Sequence, residues 1–185
     1  MKSLFSTVCL MLCLLALVIG ASAQQQIDFS TLPLLSSPAL MPAGYGGLGW
    51  SNFFYVEPYD WSGAGPGYWL GPRGRDVAFV GGLFCRLNGP FCYGVLNSAS
   101  GFELVSAEMA GGYGPAAVTA TAYNNGKYVG SKNFFVGEAM QTVNFPSSWG
   151  IVTEVQFQVT GQVDNLVVYN VSLYQIVQDP PPPGQ

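Results

Sequence analysis

The chain has 185 residues and no histidine, and only 9% of its side chains are charged, six basic against ten acidic. The missing imidazole excludes serine and cysteine triads of the usual kind and every metal site that needs histidine. The basic residues form no dense patch, which argues against nucleic acid and anionic membranes as partners, since both select for clustered positive charge.

Residues 1–23 read as a secretory signal, with Lys2 as the positive start, an apolar run from Val8 to Ile19, and the small residues Ala21, Ser22 and Ala23 as the cleavage site. The run is shorter than the roughly 20 residues a membrane span needs. The expected mature product is a secreted, extracellular protein with one domain over 24–179 and a proline-rich tail at 180–185. Without Lys2 it carries five basic side chains (Arg73, Arg75, Arg86, Lys127 and Lys132) against ten acidic ones, a net charge of −5.

In chain order, Ile27–Ser30 predicts a short opening strand, Gly49–Val56 a second and Asp76–Val80 a third. In Gly49–Val56, alternation puts Phe53 and Tyr55 on one face and Trp50, Asn52 and Phe54 on the other. The connections Ser30–Gly47 and Glu57–Arg75 are long for a compact domain, and loops of that length are often functional. Cys9 and Cys13 leave with the signal. Cys85 and Cys92, with six residues between them including Asn88, Gly89 and Pro90, are then expected to form a disulfide in an oxidising compartment.

Phe102–Ala110, Gln141–Phe145 and Thr153–Thr160 alternate as half-buried strands do, the last with Val155, Phe157 and Val159 on one face. Val118–Tyr123 runs into Asn124, Asn125 and Gly126 and returns as Lys127–Val136, a hairpin whose Asn-Gly turn takes positive φ without steric cost. Asp164–Val177 predicts a long last strand with Val167, Tyr169, Val171 and Leu173 on one side. Its other side, Leu166, Val168, Asn170 and Ser172, turns polar. Asn170 also heads the only glycosylation sequon. Eight to ten strands with almost no amphipathic helix predict an all-β fold, an antiparallel sandwich.

Several ordered motifs resemble a group of secreted proteins that includes bacterial exported proteins with PEP-CTERM sorting tails and related fungal secreted proteins. The residues that carry the likeness are Phe29–Pro33 (FSTLP), Pro42–Phe54 (PAGYGGLGWSNFF), Gly65–Tyr68 followed by Val77–Phe79, Ala122–Gly126 (AYNNG) and Val163–Leu166 (VDNL). The resemblance implies a galactose-binding-like jelly roll, an architecture common among carbohydrate-binding modules, and no particular activity. It also implies a structural calcium ion tying the first strand to the last, for which Asp164 and Ser30 are the candidate ligands, with Asp28 or backbone carbonyls beside them; the favoured reading of Asp164 is the cap of the turn before the last strand. Ser30 and Thr31 stand where the family's motif has two acids, and the sorting tail is missing.

The functional question centres on Tyr45–Trp69, where nine of twenty-five residues are aromatic and only Glu57 and Asp60 are charged. Up to Val56 the rings read as core strand. Tyr59, Trp61, Tyr68 and Trp69 lie among glycines and prolines without alternation, and Trp149 reads as packing. Rings on a loop can stack on the C–H faces of a sugar while Asp60 and Arg73 bond its hydroxyls. They can equally fold inward as an Ω-type loop, or contact another extracellular protein. The favoured expectation is a non-catalytic, lectin-like module for cell-wall or matrix polysaccharide. The competing ones are a structural or protein-interaction protein using the aromatic loop, and a glycan-active enzyme using Glu57 and Asp60 as paired carboxylates.

Overall fold

The computed structural model describes residues 23–71, 75–81, 93–160 and 165–176. Eleven strands run through them: β1 (Gln24–Ile27), β2 (Ala39–Leu40), β3 (Gly49–Ser51), β4 (Phe54–Val56), β5 (Val77–Gly81), β6 (Tyr93–Gly111), β7 (Ala116–Asn124), β8 (Lys127–Val136), β9 (Gln141–Asn144), β10 (Val152–Thr160) and β11 (Asn165–Gln175). Every pairing is antiparallel. The fold is the expected all-β sandwich, with one strand more than the sequence pattern predicts.

Strand β6 belongs to both layers. Its first half pairs with β3 and β10, and that layer continues through β7 to the edge strand β8. Its second half pairs with β9 and β11, and that layer continues through β5 and β4 to β2, with β1 beside the end of β11. The changeover falls at Phe102, which aligns with both Val152 of β10 and Gln175 of β11. Gly101, at φ 84°, takes the left-handed conformation this corner requires. Trp50, Leu96 and Phe157 from one layer meet Leu104, Met109, Val168 and Val171 from the other in the main core.

Four strand expectations change, each for a physical reason. The opening strand is Gln24–Ile27, because backbone pairing with Val171–Tyr174 extends it through the polar glutamines. Gly49–Val56 is two strands in different layers, since Asn52 sits at φ 60° and turns the chain between them. That turn puts Trp50 and Phe53 edge to face in the same core, 5.2 Å apart, where unbroken alternation separates them. Strand β6 starts nine residues before Phe102, over a Gly/Ser/Asn-rich stretch whose pattern carries no strand signal.

The fourth change matters most for function. A bulge between Val168 and Asn170 of β11 flips the alternation. Leu166 and Val168 therefore share the main core with Val171 and Leu173, while Val167 and Tyr169 face outward. The hairpin turn is as predicted, with Asn125 at φ 49° and Gly126 at φ 75°. Trp149 packs on Phe145 as expected, at a centroid distance of 5.8 Å.

Outside the second layer lies a smaller core of Val56, Val77, Phe79, Ala110, Val167 and Tyr169, closed by Tyr68 from the loop that follows β4. Gly67 brings that loop onto the sheet. Its amide donates to the Gly112 carbonyl at 3.1 Å, and a Cβ there would lie 1.9 Å from the Gly111 oxygen. Gly67→Ala therefore forces the loop off the sheet edge, and its expected result is a lowered melting temperature with β-sheet content retained in the far-UV spectrum.

Candidate functional site

The loop from Glu57 to Gly71 sorts its rings into two sets. Tyr68 has no exposed surface and meets Trp61, Phe79 and Tyr113 edge to face at 5.3–5.6 Å. Trp61 is half-buried and lies flat on Phe79, with rings 16° from parallel. A ring with no accessible face cannot stack on a ligand, so Tyr68 leaves the set of candidate stacking residues, and Trp61 shares its packing role. Tyr59 and Trp69 stay 37% and 48% exposed.

Polar contacts fix this arrangement. The Tyr59 hydroxyl donates to the Trp69 carbonyl at 2.7 Å and reaches the Gly71 carbonyl at 3.2 Å. The Trp69 indole N–H donates to the Pro58 carbonyl at 3.0 Å. The Tyr113 and Tyr169 hydroxyls donate to the carbonyls of Gly63 and Gly67. Glu57 is buried, and its Oε2 accepts the backbone amides of Tyr59 at 2.6 Å and Asp60 at 2.9 Å. That bonding makes Glu57 the fastener of the loop's first turn and leaves the exposed Asp60 side chain at its outer edge.

Beside the loop, on the same outer face, a cleft of about 320 Å³ opens. Such a volume lies at the low end of small-ligand sites. Its floor is Tyr169 and Asn170 of β11, which the bulge turns to one side, with Glu108 opposite Asn170 in register. Gln26 and Asp28 come from the end of β1, and Arg75 and Asp76 from the approach to β5. Gly71, Val77 and Met140 complete the wall. The Asn170 amide donates to the Glu108 carboxylate, so a glycan attached at this sequon would occupy the cleft itself.

Asp28 and Asp76 differ in state. Asp28 accepts the Ser30 hydroxyl at 2.7 Å and the Ser30 amide at 3.1 Å, and Arg75 lies 3.6 Å from its other oxygen. The Ser30 bonds, with help from the guanidinium, hold the Asp28 carboxyl below its usual range. Asp76 is the opposite case. It is 2% exposed and neither of its oxygens has a hydrogen-bond partner. Burial, then the nearby Glu57 charge, pushes its carboxyl up to about 6. The Leu35 backbone pulls the other way from close by, but its geometry falls short of a hydrogen bond.

The sequence-based candidates thus meet different fates. Tyr59 and Trp69 stand exposed together at the loop end that leads to Gly71, with Asp60 on the loop's first turn. Arg73, Asp164, Cys85 and Cys92 lie outside the described residues. Ser30 spends its hydroxyl on Asp28, and among the described residues no three acidic or thiol groups converge. The calcium site that the resemblance implies rests on Asp164 and so lies outside the described residues. Asp76, Arg75 and Glu108 carry no motif. The signal within reach was the polar turn of β11 at Asn170, whose partner across the ladder is Glu108.

No protein-family model matches the sequence, nor does any curated protein. Among solved structures, the fold is similar to a DUF4465 family protein from Bacteroides caccae, with a TM-score of 0.53 at 10% identity over 86% of this chain and 96% of that one. A family 11 carbohydrate-binding module from a cellulosomal cellulase of Clostridium thermocellum aligns with a TM-score of 0.44 at 11% identity, over 86% and 99%. An F5/8 type C domain from Bacteroides fragilis aligns at 0.34 and 13% identity, over 69% and 93%. At such identities, likeness bears on the fold alone.

Proposed function

We propose that the protein is a secreted, non-catalytic, carbohydrate-binding β-sandwich that acts on cell-wall or matrix polysaccharide. The observation that carries this reading is the outer-face cleft beside the exposed Tyr59–Trp69 pair. Carboxylates, a guanidinium and side-chain amides there alternate with Val77, Met140 and the Tyr169 ring. Vicinal hydroxyls need such mixed donors and acceptors, and the C–H faces of a sugar need the apolar ones. Extracellular placement rests on the signal-like residues 1–23. Glu57's bonds to backbone amides weigh against the paired-carboxylate alternative, and the inward turn of Trp61 and Tyr68 narrows the sugar and protein-interface readings alike to Tyr59 and Trp69.

The test is retention on a panel of insoluble polysaccharides. Trp69→Ala is expected to weaken binding to the retained polysaccharide about tenfold, near 1.4 kcal/mol, with the far-UV spectrum unchanged. Trp61→Ala is expected to act on melting temperature instead, because its ring covers Phe79. If no polysaccharide retains the native protein, the reading is wrong.

A further inference from the structure

Strand β4 ends its ladder with β5 at Val56 opposite Val77, and one step further the same register sets Glu57 opposite Asp76. Both are only 2% exposed. Val56 and Val77 face the outer core, so alternation turns Glu57 and Asp76 to the face that Tyr55 and Ala78 present to the main core. Two like charges opposite each other on a ladder repel, and burial raises the cost. Leu35 closes a third side, its carbonyl accepting the Glu57 amide at 3.0 Å and its backbone lying beside the Asp76 carboxyl. Arg75, the neighbour of Asp76, sends its guanidinium to Asp28 instead. Both Asp76 oxygens are thus buried next to a second carboxylate, with no donor to meet them.

We propose that Glu57 and Asp76 hold a buried calcium ion that pins the start of the aromatic loop. Two carboxylates match a divalent cation charge for charge, so the buried cluster becomes neutral. Their donors are all oxygen, which suits a hard cation. Calcium takes about six to eight oxygens in flexible geometry, from bidentate carboxylates, backbone carbonyls and water. No third acidic group joins the pair among the described residues, so the Leu35 carbonyl and water complete the shell. Magnesium fits less well, because it keeps several waters of its own in a strict octahedron. Glu57 Oε2 also accepts the Tyr59 and Asp60 amides, so an ion on Glu57 fixes the turn from which Tyr59 and Trp69 are presented. The site is distinct from the one the resemblance implies, which joins the first strand to the last through Asp164. It stands whether or not the loop binds polysaccharide.

Thermal melting of the full chain at pH 7, in chelator and in millimolar calcium, tests this. Calcium is expected to raise the native melting temperature by about 5 °C, and millimolar magnesium by much less. In chelator Asp76→Asn, checked for folding by its far-UV spectrum, melts above the native protein, because it buries no charge. In calcium that advantage is lost, since only the native protein gains the shift, whereas Asp164→Asn still gains it. Calcium is also expected to slow protease cleavage of the native chain between Glu57 and Gly71 severalfold. A native melting temperature and cleavage rate that calcium leaves unchanged overturn the inference. So does a calcium shift of native size in Asp76→Asn, which places the ion elsewhere. A shift that Asp164→Asn abolishes and Asp76→Asn keeps assigns the ion to the first and last strands, and overturns it equally.

Discussion

Tyr68→Ala is expected to cost about 3–5 kcal/mol of stability, the range for emptying a large aromatic site in a packed core. The ring is fully buried, is met edge to face by three other aromatics, and closes the small core outside the second layer. In a domain of this size that loss corresponds to a fall in melting temperature of roughly 10 °C. Because Tyr68 holds the loop down, the variant also gains protease cleavage between Glu57 and Gly71 under native conditions.

Tyr68→Phe separates the ring from its hydroxyl. That hydroxyl is buried without a hydrogen-bond partner, and burial pushes its ionisation well above the ordinary phenol range. Removing the hydroxyl relieves its desolvation cost, and this gain is offset because the buried Asn165 side chain beside it loses its polar neighbour. Tyr68→Phe is therefore expected to melt like the native protein, within about 0.5 kcal/mol. If the alanine variant also melts like the native protein, with an uncleaved loop, Tyr68 is not the keystone of the outer core.

Asp76→Asn is expected to stabilise the protein at neutral pH. The folded state raises this carboxyl from 3.8 to about 6. Below 3.8 the group is protonated in both states and its contribution is fully present. Between 3.8 and about 6 the unfolded chain releases the proton while the folded one holds it, so stability falls as pH rises. Above that window the loss is complete, at roughly 3 kcal/mol. Asparagine avoids the charge but leaves its own amide poorly matched, so the net gain is about 1–2 kcal/mol at pH 7–8.

Melting curves of both proteins across pH 4–8 measure the effect directly. Near pH 4 the native protein is expected to be the more stable by about 1–2 kcal/mol, the cost of the mismatched amide, and the two curves cross as pH rises. A gap that stays constant with pH would exclude an Asp76 carboxylate strained by burial.

Alternating strands, an Asn-Gly hairpin turn and near-absent helical periodicity are local properties, and each is legible in the order of residues along one segment. That is why Thr153–Thr160, the 118–136 hairpin and the all-β class follow from the chain alone. The split of the aromatic segment at Val56 into core strand and loop follows in the same way. The histidine-free composition likewise removes whole reaction classes without any coordinates.

The direction in which each ring points is not local. Trp61 and Tyr68 turn inward because β5, β6 and β11 present Phe79, Ala110, Val167 and Tyr169 on one outer face, the last of them more than a hundred positions away along the chain. No pattern within Glu57–Gly71 distinguishes them from Tyr59 and Trp69. The cleft depends on register in the same manner. One bulge at Val168–Asn170 shifts the alternation of β11 and brings Tyr169 and Asn170 to the side where Glu108, Arg75 and Asp76 line the cleft. The chain's own order therefore settles the fold class and which chemistries are closed to it. The address of the site is settled by long-range pairing, because a one-residue slip exchanges the two faces of a strand.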